Sequence, residues 1–323
     1  MDFRPLGRTG VQVSKLCLGT MAFGGEADAS NAADMYSASR DLGINFFDCA
    51  NTYVKGRAEE VLGGLIEPHR DEVVITSKCF NAIGKDINAR GASRRYIVRA
   101  VEESLRRLRT DRIDVLFMHQ WDERTPIEET LRALEDLVRS GKVLYLGASN
   151  YSAWQVAKSL GISERHAWTR FEVIQPMYNL AKRQAEAEIL PMAASEQLGV
   201  ITYSPLGGGL LSGKYGRTAR PNSGRLVDNE RYAKRYSQDA AYEAAQAFTE
   251  FAAAHGAHPV SLAIAWVMSH AAVTAPIIGG RSLQQLQPAL DALRVEMPDA
   301  LRARIGDLSP EPAPATDRLE ERG

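Results

Sequence analysis

The chain has little that would tie it to a membrane, a metal or a nucleic acid. No apolar run approaches the ~20 residues needed to cross a bilayer. The opening MDFRPLGRTG has no long apolar stretch behind a basic start, so no secretory leader is expected. Basic residues number 39 and acidic residues 40, the formal net charge is −1, and no basic stripe offers a polyanion site. Cysteine is confined to Cys17, Cys49 and Cys79, each in or beside an apolar run. These read as small buried hydrophobes of a reducing, cytoplasmic compartment. No cysteine or histidine pair has metal-ligand spacing, so no metal is expected. Also missing is a G-x-G-x-x-G after the first strand-like run, the usual sign of an open, doubly wound dinucleotide-binding sheet.

What is present is alternation. Short apolar runs at 16–19, 45–48, 73–78, 114–119, 143–149, 173–176, 200–203 and 275–279 are separated by longer amphipathic stretches. Helix boundaries are signalled by Ser93, by a Thr125-Pro126-Ile127-Glu128 capping box, by Gly141, and by the pairs Ser152/Gln155 and Ser282/Gln285. Eight β-then-α units predict a parallel sheet closed as a (β/α)8 TIM barrel. Ahead of it, residues 3–6 and 11–14 flank Gly7-Arg8-Thr9-Gly10 and predict an N-terminal β-hairpin closing the barrel floor. Residues 1–323 are expected to form a single domain. Within it, the long connection 204–238 has the character of a lid, and the proline-rich, charged 309–323 that of a loose tail.

Active sites of such barrels lie at the C-terminal strand ends. Those positions here are Asp48, Lys78, His119, Ser149-Asn150, Gln175, Tyr203 and Gly279. Each alone is an ordinary strand-terminal residue meeting water; together they would ring one mouth. The segments FFDCANTY (46–53), ITSKC (75–79), LFMHQWD (116–122), LGASNYS (146–152), VIQPMYN (173–179), ITYSPLGGGLLSGKY (201–215) and PIIGGRSLQQL (276–286) resemble the aldo-keto reductase family. The likeness runs from about residue 3 to 295 and is similar to that family's potassium-channel β-subunit-like and bacterial branches. GGLLSGKY also fits G-x(4)-G-K, but tyrosine stands where a P-loop needs serine or threonine, so triphosphate binding is rejected.

The resemblance implies a catalytic set of Asp48, Tyr53, Lys78 and His119. A free tyrosine has a pKa near ~10 and yields its proton reluctantly. A nearby Lys78 ammonium would lower that value and stabilise the phenolate, Asp48 would hold Lys78 charged, and His119 would hydrogen-bond the substrate oxygen or relay the proton. The sequence leaves the His119 tautomer open. Tyr53 is then the acid in reduction and the base in oxidation.

The cofactor implied is NADPH/NADP, with NADH as the alternative. Ser149, Asn150 and Gln175 match the nicotinamide carboxamide positions, Tyr203 the ring that stacks on the nicotinamide, and Gly19, Thr20, Met21 and Asp48 border it. Ser204, Pro205, Leu206, Gly207 and Gly208 match the pyrophosphate loop. Lys214, Arg225 and Arg281 are the phosphate candidates, with Gly279 and Gln285 beside them. Pro288 and Ala289 depart from the family's Glu-Asn near adenine, Val54 stands where glycine is common, and Ala58 where serine is. Met21, Phe23, Val54 and Trp121 are expected to wall the pocket of a small-molecule carbonyl or alcohol substrate. The same residues also suit two other functions: an NADP(H)-binding redox-sensing or regulatory subunit, against which His119 counts, and an NAD-dependent alcohol dehydrogenase. No nucleic acid or membrane partner is expected, and the sequence leaves both monomer and oligomer open.

Overall fold

The computed structural model of the protein describes residues 1–318 and residue 320. Phe3–Pro5 (β1) and Gln12–Ser14 (β2) pair antiparallel, and eight further strands close a parallel barrel. These are Cys17–Gly19 (β3), Phe46–Asp48 (β4), Val74–Cys79 (β5), Ile113–Met118 (β6), Val143–Ser149 (β7), Phe171–Gln175 (β8), Gly199–Thr202 (β9) and Ala275–Ile278 (β10). They follow one another in sequence order, and β10 pairs back to β3. Every expected run is a strand, its ends displaced by at most two residues.

Side chains alternate across a strand, so one parity of each lines the interior. Cys17, Phe46, Val115, Phe117, Val173, Ile201 and Ala275 form one buried cluster there, joined by Leu6 and Val13 from the hairpin. Residues of the other parity, such as Leu18, Phe47, Leu116 and Ile174, belong to the larger core beneath the helices. The hairpin does close the floor. Gly7 has φ +58°, and a Cβ there would lie 2.6 Å from Gly199 N and 2.8 Å from Glu172 O, so only glycine lets the turn meet β8 and β9.

Helix boundaries mostly follow the expected signals. Ser93 accepts the Tyr96 N–H, the Ser152 N–H donates to Gln155 Oε1 at 2.9 Å, and Gly141 at φ +74° ends the helix Ile127–Arg139. The Thr125 box does not form. Thr125 Oγ1 donates instead to Asp122 Oδ2 at 2.8 Å, and Pro126 lies just outside the helix in extended conformation. Ser282 Oγ accepts the Gln285 N–H at 3.4 Å, but the reciprocal half is diverted, because Gln285 Oε1 accepts the Arg281 N–H at 3.2 Å.

The long connection 204–238 carries a 3-10 stretch, Gly207–Ser212, and two short helices, Arg225–Asp228 and Glu230–Arg235. The tail does not start loose: Arg183 Nη1 donates to Gly306 O at 3.0 Å and Ser309 O at 3.2 Å. Residues 310–318 form neither helix nor strand, and 319 and 321–323 lie outside the described residues. No single helix among the described residues is long and apolar enough to cross a membrane.

Candidate active site

The parity that fills the barrel also builds its mouth. On β4 the inward residues run Phe46, Asp48; on β5, Val74, Thr76, Lys78; on β6, Val115, Phe117, then His119; on β8, Val173, Gln175; on β9, Ile201, then Tyr203. Register sets them level. Gly19 pairs Asp48, Asp48 pairs Thr76, and Ser149 pairs Gln175. His119 N–H donates to Cys79 O at 3.0 Å and Tyr203 N–H to Pro176 O at 3.0 Å, carrying the ladder one step past the strands.

Lys78 is the hub. Its ammonium has three donors and no acceptor, and all three are used: Asp48 Oδ2 at 2.6 Å, Cys49 O at 2.7 Å and Tyr53 Oη at 3.1 Å. Asp48 Oδ1 in turn accepts from Thr76 Oγ1 at 2.7 Å and Gln175 Nε2 at 2.8 Å. Lys78 is wholly buried. Burial works against its charge, but Asp48 and Tyr53 outweigh burial and hold Lys78 above the usual lysine range. The effect on Tyr53 differs from the expectation. Burial pushes the phenol up to about 12, and Lys78 offsets only part of that rise. Its oxygen accepts from Lys78, so its own proton is left to be donated elsewhere.

The loop carrying Tyr53 is strained. Val54 and Lys55 have φ 47° and 56°, followed by Gly56 at 95°. Val54 thus occupies a left-handed position at a steric cost for a β-branched side chain. Behind this loop, buried Glu59 accepts from Ser77 Oγ at 2.5 Å and Arg107 Nε at 2.8 Å, fastening the following helix to β5 beside Lys78. His119 lies edge-on to Tyr53, ring centroids 6.2 Å apart, and its Nδ1 faces Asn81 Nδ2 at 3.2 Å. Burial first, and then the Lys78 charge, push His119 down to about 3, so its ring is neutral.

The expected cofactor residues divide. Around His119, Asn150 Nδ2 donates to His119 O at 2.9 Å and Ser149 Oγ at 3.0 Å, while its Oδ1 accepts from Tyr203 Oη at 2.7 Å. Ser149 Oγ donates to Gln175 O at 3.0 Å. Thr20 is buried, with Oγ1 donating to Asp48 O at 3.0 Å, which makes it a strut between β3 and β4. Gly279 sits against Gly19, where a Cβ would lie 3.2 Å from Gly19 O.

Farther out, Ser204 has φ 55°, Pro205 and Leu206 follow, and Gly207, Gly208 and Gly209 have φ 60°, 70° and 101°. A Cβ at Gly208 would lie 2.8 Å from Tyr232, so the glycine run lets the long connection pack down as well as turn. Lys214 is exposed. Arg281 Nε and Arg225 Nη2 converge on Glu26 Oε2, at 3.1 Å and 4.0 Å. Gln285 is spent on its own helix start, and Pro288 lies inside the helix Leu283–Leu290 with its carbonyl accepting from Ser261 Oγ at 2.6 Å. A nicotinamide dinucleotide fits this donor set: an amide and hydroxyl cluster at the barrel mouth, then left-handed glycines, then arginines held by a single carboxylate.

Of the pocket candidates, Met21 and Val54 are exposed. Trp121 is partly buried, edge-on to Tyr151 at 5.3 Å and to Trp154 at 5.6 Å. Phe23 does not wall a pocket: it is 1% exposed and packed into the core beneath the helices. Sequence reasoning missed Thr76, Asn81, Glu26 and Glu59. Thr76 carried a signal, since alternation places it on the same face as Lys78; the others carried none.

The model of the aldo/keto reductase family matches residues 15–309. An uncharacterized oxidoreductase of Bacillus subtilis is 36% identical, with 98% of each chain covered. A probable voltage-gated potassium channel subunit beta of Arabidopsis thaliana is 36% identical over 91% of this chain and 92% of its own. Norsolorinic acid reductase A of Aspergillus parasiticus is 33% identical over 93% of this chain and 79% of its own.

Proposed function

Because the chain belongs to the aldo/keto reductase family, whose members are nicotinamide-dependent oxidoreductases of small carbonyls, we propose that it reduces an aldehyde or ketone with NADPH, Tyr53 giving the proton. The observation that carries this reading is the three-way partnership of Lys78 with Asp48, Cys49 O and Tyr53. Bound NADPH supplies the hydride for the carbonyl carbon. Tyr53 Oη–H protonates the carbonyl oxygen, and the phenolate left behind keeps the Lys78 ammonium at hydrogen-bond distance. Asp48, fixed by Thr76 and Gln175, holds Lys78 charged. In the reverse direction the phenolate takes a proton from an alcohol.

Ser149, Asn150 and Gln175 would hold the carboxamide, Tyr203 the nicotinamide face, and Ser204 to Gly208 the pyrophosphate. Lys214, Arg225 and Arg281 would meet the remaining phosphates, the 2′-phosphate among them, which favours NADPH over NADH. Three free, buried cysteines support a cytoplasmic location.

The test is absorbance loss of NADPH or NADH with a panel of aldehydes and ketones. Carbonyl-dependent oxidation that vanishes in Tyr53→Phe, with cofactor affinity retained, is the expected outcome. Undiminished turnover in that variant would sink the assignment. The likeness to a channel β subunit favours a second reading, a cofactor-binding regulatory subunit. It would show tight binding with negligible turnover across the panel.

A further inference from the structure

His119 leaves the proposed mechanism with an ambiguity that its neighbours resolve. A neutral imidazole has one nitrogen that donates and one that accepts, and the partner of one fixes the role of the other. The partner here is Asn81, three residues past Lys78, whose side-chain Nδ2 lies 3.2 Å from His119 Nδ1. An amide nitrogen can only donate, so Nδ1 must accept and the ring proton must sit on Nε2. Among the described interactions Nε2 has no protein partner, which leaves its N–H to serve a ligand.

The backbone at Asn81 is itself held: its main-chain carbonyl accepts from Tyr96 Oη at 2.8 Å, on the helix Arg94–Leu108, and Tyr96 Oη accepts from Asn51 Nδ2 at 3.1 Å. Asn51 lies two residues before Tyr53, and its N–H donates to Lys78 O at 3.1 Å. A run of hydrogen bonds thus joins the Tyr53 loop, the Lys78 strand and the His119 ring through Asn81.

We propose that Asn81 is a positioning residue that fixes His119 as the neutral Nε2–H tautomer, so that His119 donates a hydrogen bond to the carbonyl oxygen and does not relay the proton. The proposal rests on the carbonyl-reductase reading for its chemistry, but the tautomer can be read without turnover. It also separates two roles that the sequence left open for His119. A donor with its proton already in place orients the carbonyl, and Tyr53 is left as the only acid.

The experiment is nitrogen NMR of the full-length protein with 15N-labelled histidine at neutral pH, His119 being assigned by the signals lost in His119→Gln. The expected result is a neutral ring with a protonated Nε2 in the unmodified protein. Asn81→Asp, which replaces the donor by an acceptor, should move the proton to Nδ1 or charge the ring. With an active carbonyl, the same variant should lower kcat by about tenfold or more and leave the KM for NADPH within about twofold, since no cofactor group is touched. Asn81→Ala, should the aspartate variant fail to fold, should give a mixture of tautomers. A protonated Nδ1 in the unmodified protein, or a tautomer indifferent to both substitutions, overturns the proposal. An Nε2–H ring in a protein that turns over no carbonyl supports the Asn81 contact and counts against the carbonyl-reductase reading instead.

Discussion

Two halves of the barrel mouth are built differently. Over β4, β5 and β6 the proposed reacting groups are tied to one another: Lys78 uses every proton it has, both Asp48 oxygens are engaged, and Tyr53 and His119 are fixed from behind. Over β9, β10 and the long connection, the charged groups are partly or largely exposed and loosely paired, with Arg225 and Arg281 sharing one carboxylate of Glu26. The first half needs charge held where it would otherwise not survive burial, and only dense partnering allows that. On the proposed reading the second half exchanges its partners for phosphates, so strong internal bonds would compete with the ligand. Preorganisation suits the chemistry; weak, replaceable contacts suit a dissociable cofactor.

The largest effect expected is on the tied half. Tyr53→Phe should cut reduction by about a hundred- to ten-thousand-fold in steady-state kinetics while fluorescence titration shows cofactor affinity almost unchanged. Lys78→Met should lose comparable activity and also destabilise the fold by about 3–5 kcal/mol, seen in denaturant melts, because Asp48 stays buried without its cation. If Lys78→Met left stability intact, the contrast between the halves would fail.

The pH dependence comes next. With Tyr53 pushed up to about 12, its phenol is protonated through the neutral range, so reduction should be flat from about pH 6 to 9. Alcohol oxidation needs the phenolate, which grows about tenfold per pH unit below that pKa, so oxidation should climb into the alkaline range. His119, pushed down to about 3, stays neutral and should add no acid limb between about pH 5 and 8. An acid limb there that His119→Gln removes would contradict the neutral ring.

On the loose half, Gly208→Ala faces φ 70° and a 2.8 Å clash with Tyr232. It should raise the KM for NADPH and leave the chemical step of bound cofactor, measured in single turnovers, nearly unchanged. Arg281→Ala should weaken NADPH by about tenfold, or ~1.4 kcal/mol, with little change for NADH. The smallest effect is expected from Glu26→Gln. Freed from the carboxylate, Arg281 and Arg225 should bind NADPH a few-fold more tightly, and a weaker affinity would show that Glu26 orients the arginines instead of competing for them.

Much of the site was legible because period-two alternation and strand ends are local properties. Asp48, Lys78, Gln175 and Tyr203 could be placed on one face by counting along each strand, and Thr76 could have been added by the same count. Phe23 was misplaced because a loop after β3 has no such period; its ring turned into the core. Thr125 failed as a cap because Asp122, also accepting from Ala92 N–H at 2.9 Å, captured its hydroxyl. The sign of the Lys78 effect on Tyr53 was foreseen, but its balance against burial was not, since desolvation depends on everything packed around the group.

By itself, then, the sequence determined the eight-unit barrel, the hairpin beneath it and the strand-end residues, all of which follow from local patterning of apolar and polar side chains. Tertiary structure alone decided the partners: that Lys78 would spend its protons on three acceptors, that Asn81 would meet His119, that Glu59 would lie buried under Arg107, and that Glu26 would draw two distant arginines together. Hydrogen bonds and burial are set by distances between residues far apart in the chain, and those distances exist only once the barrel has closed.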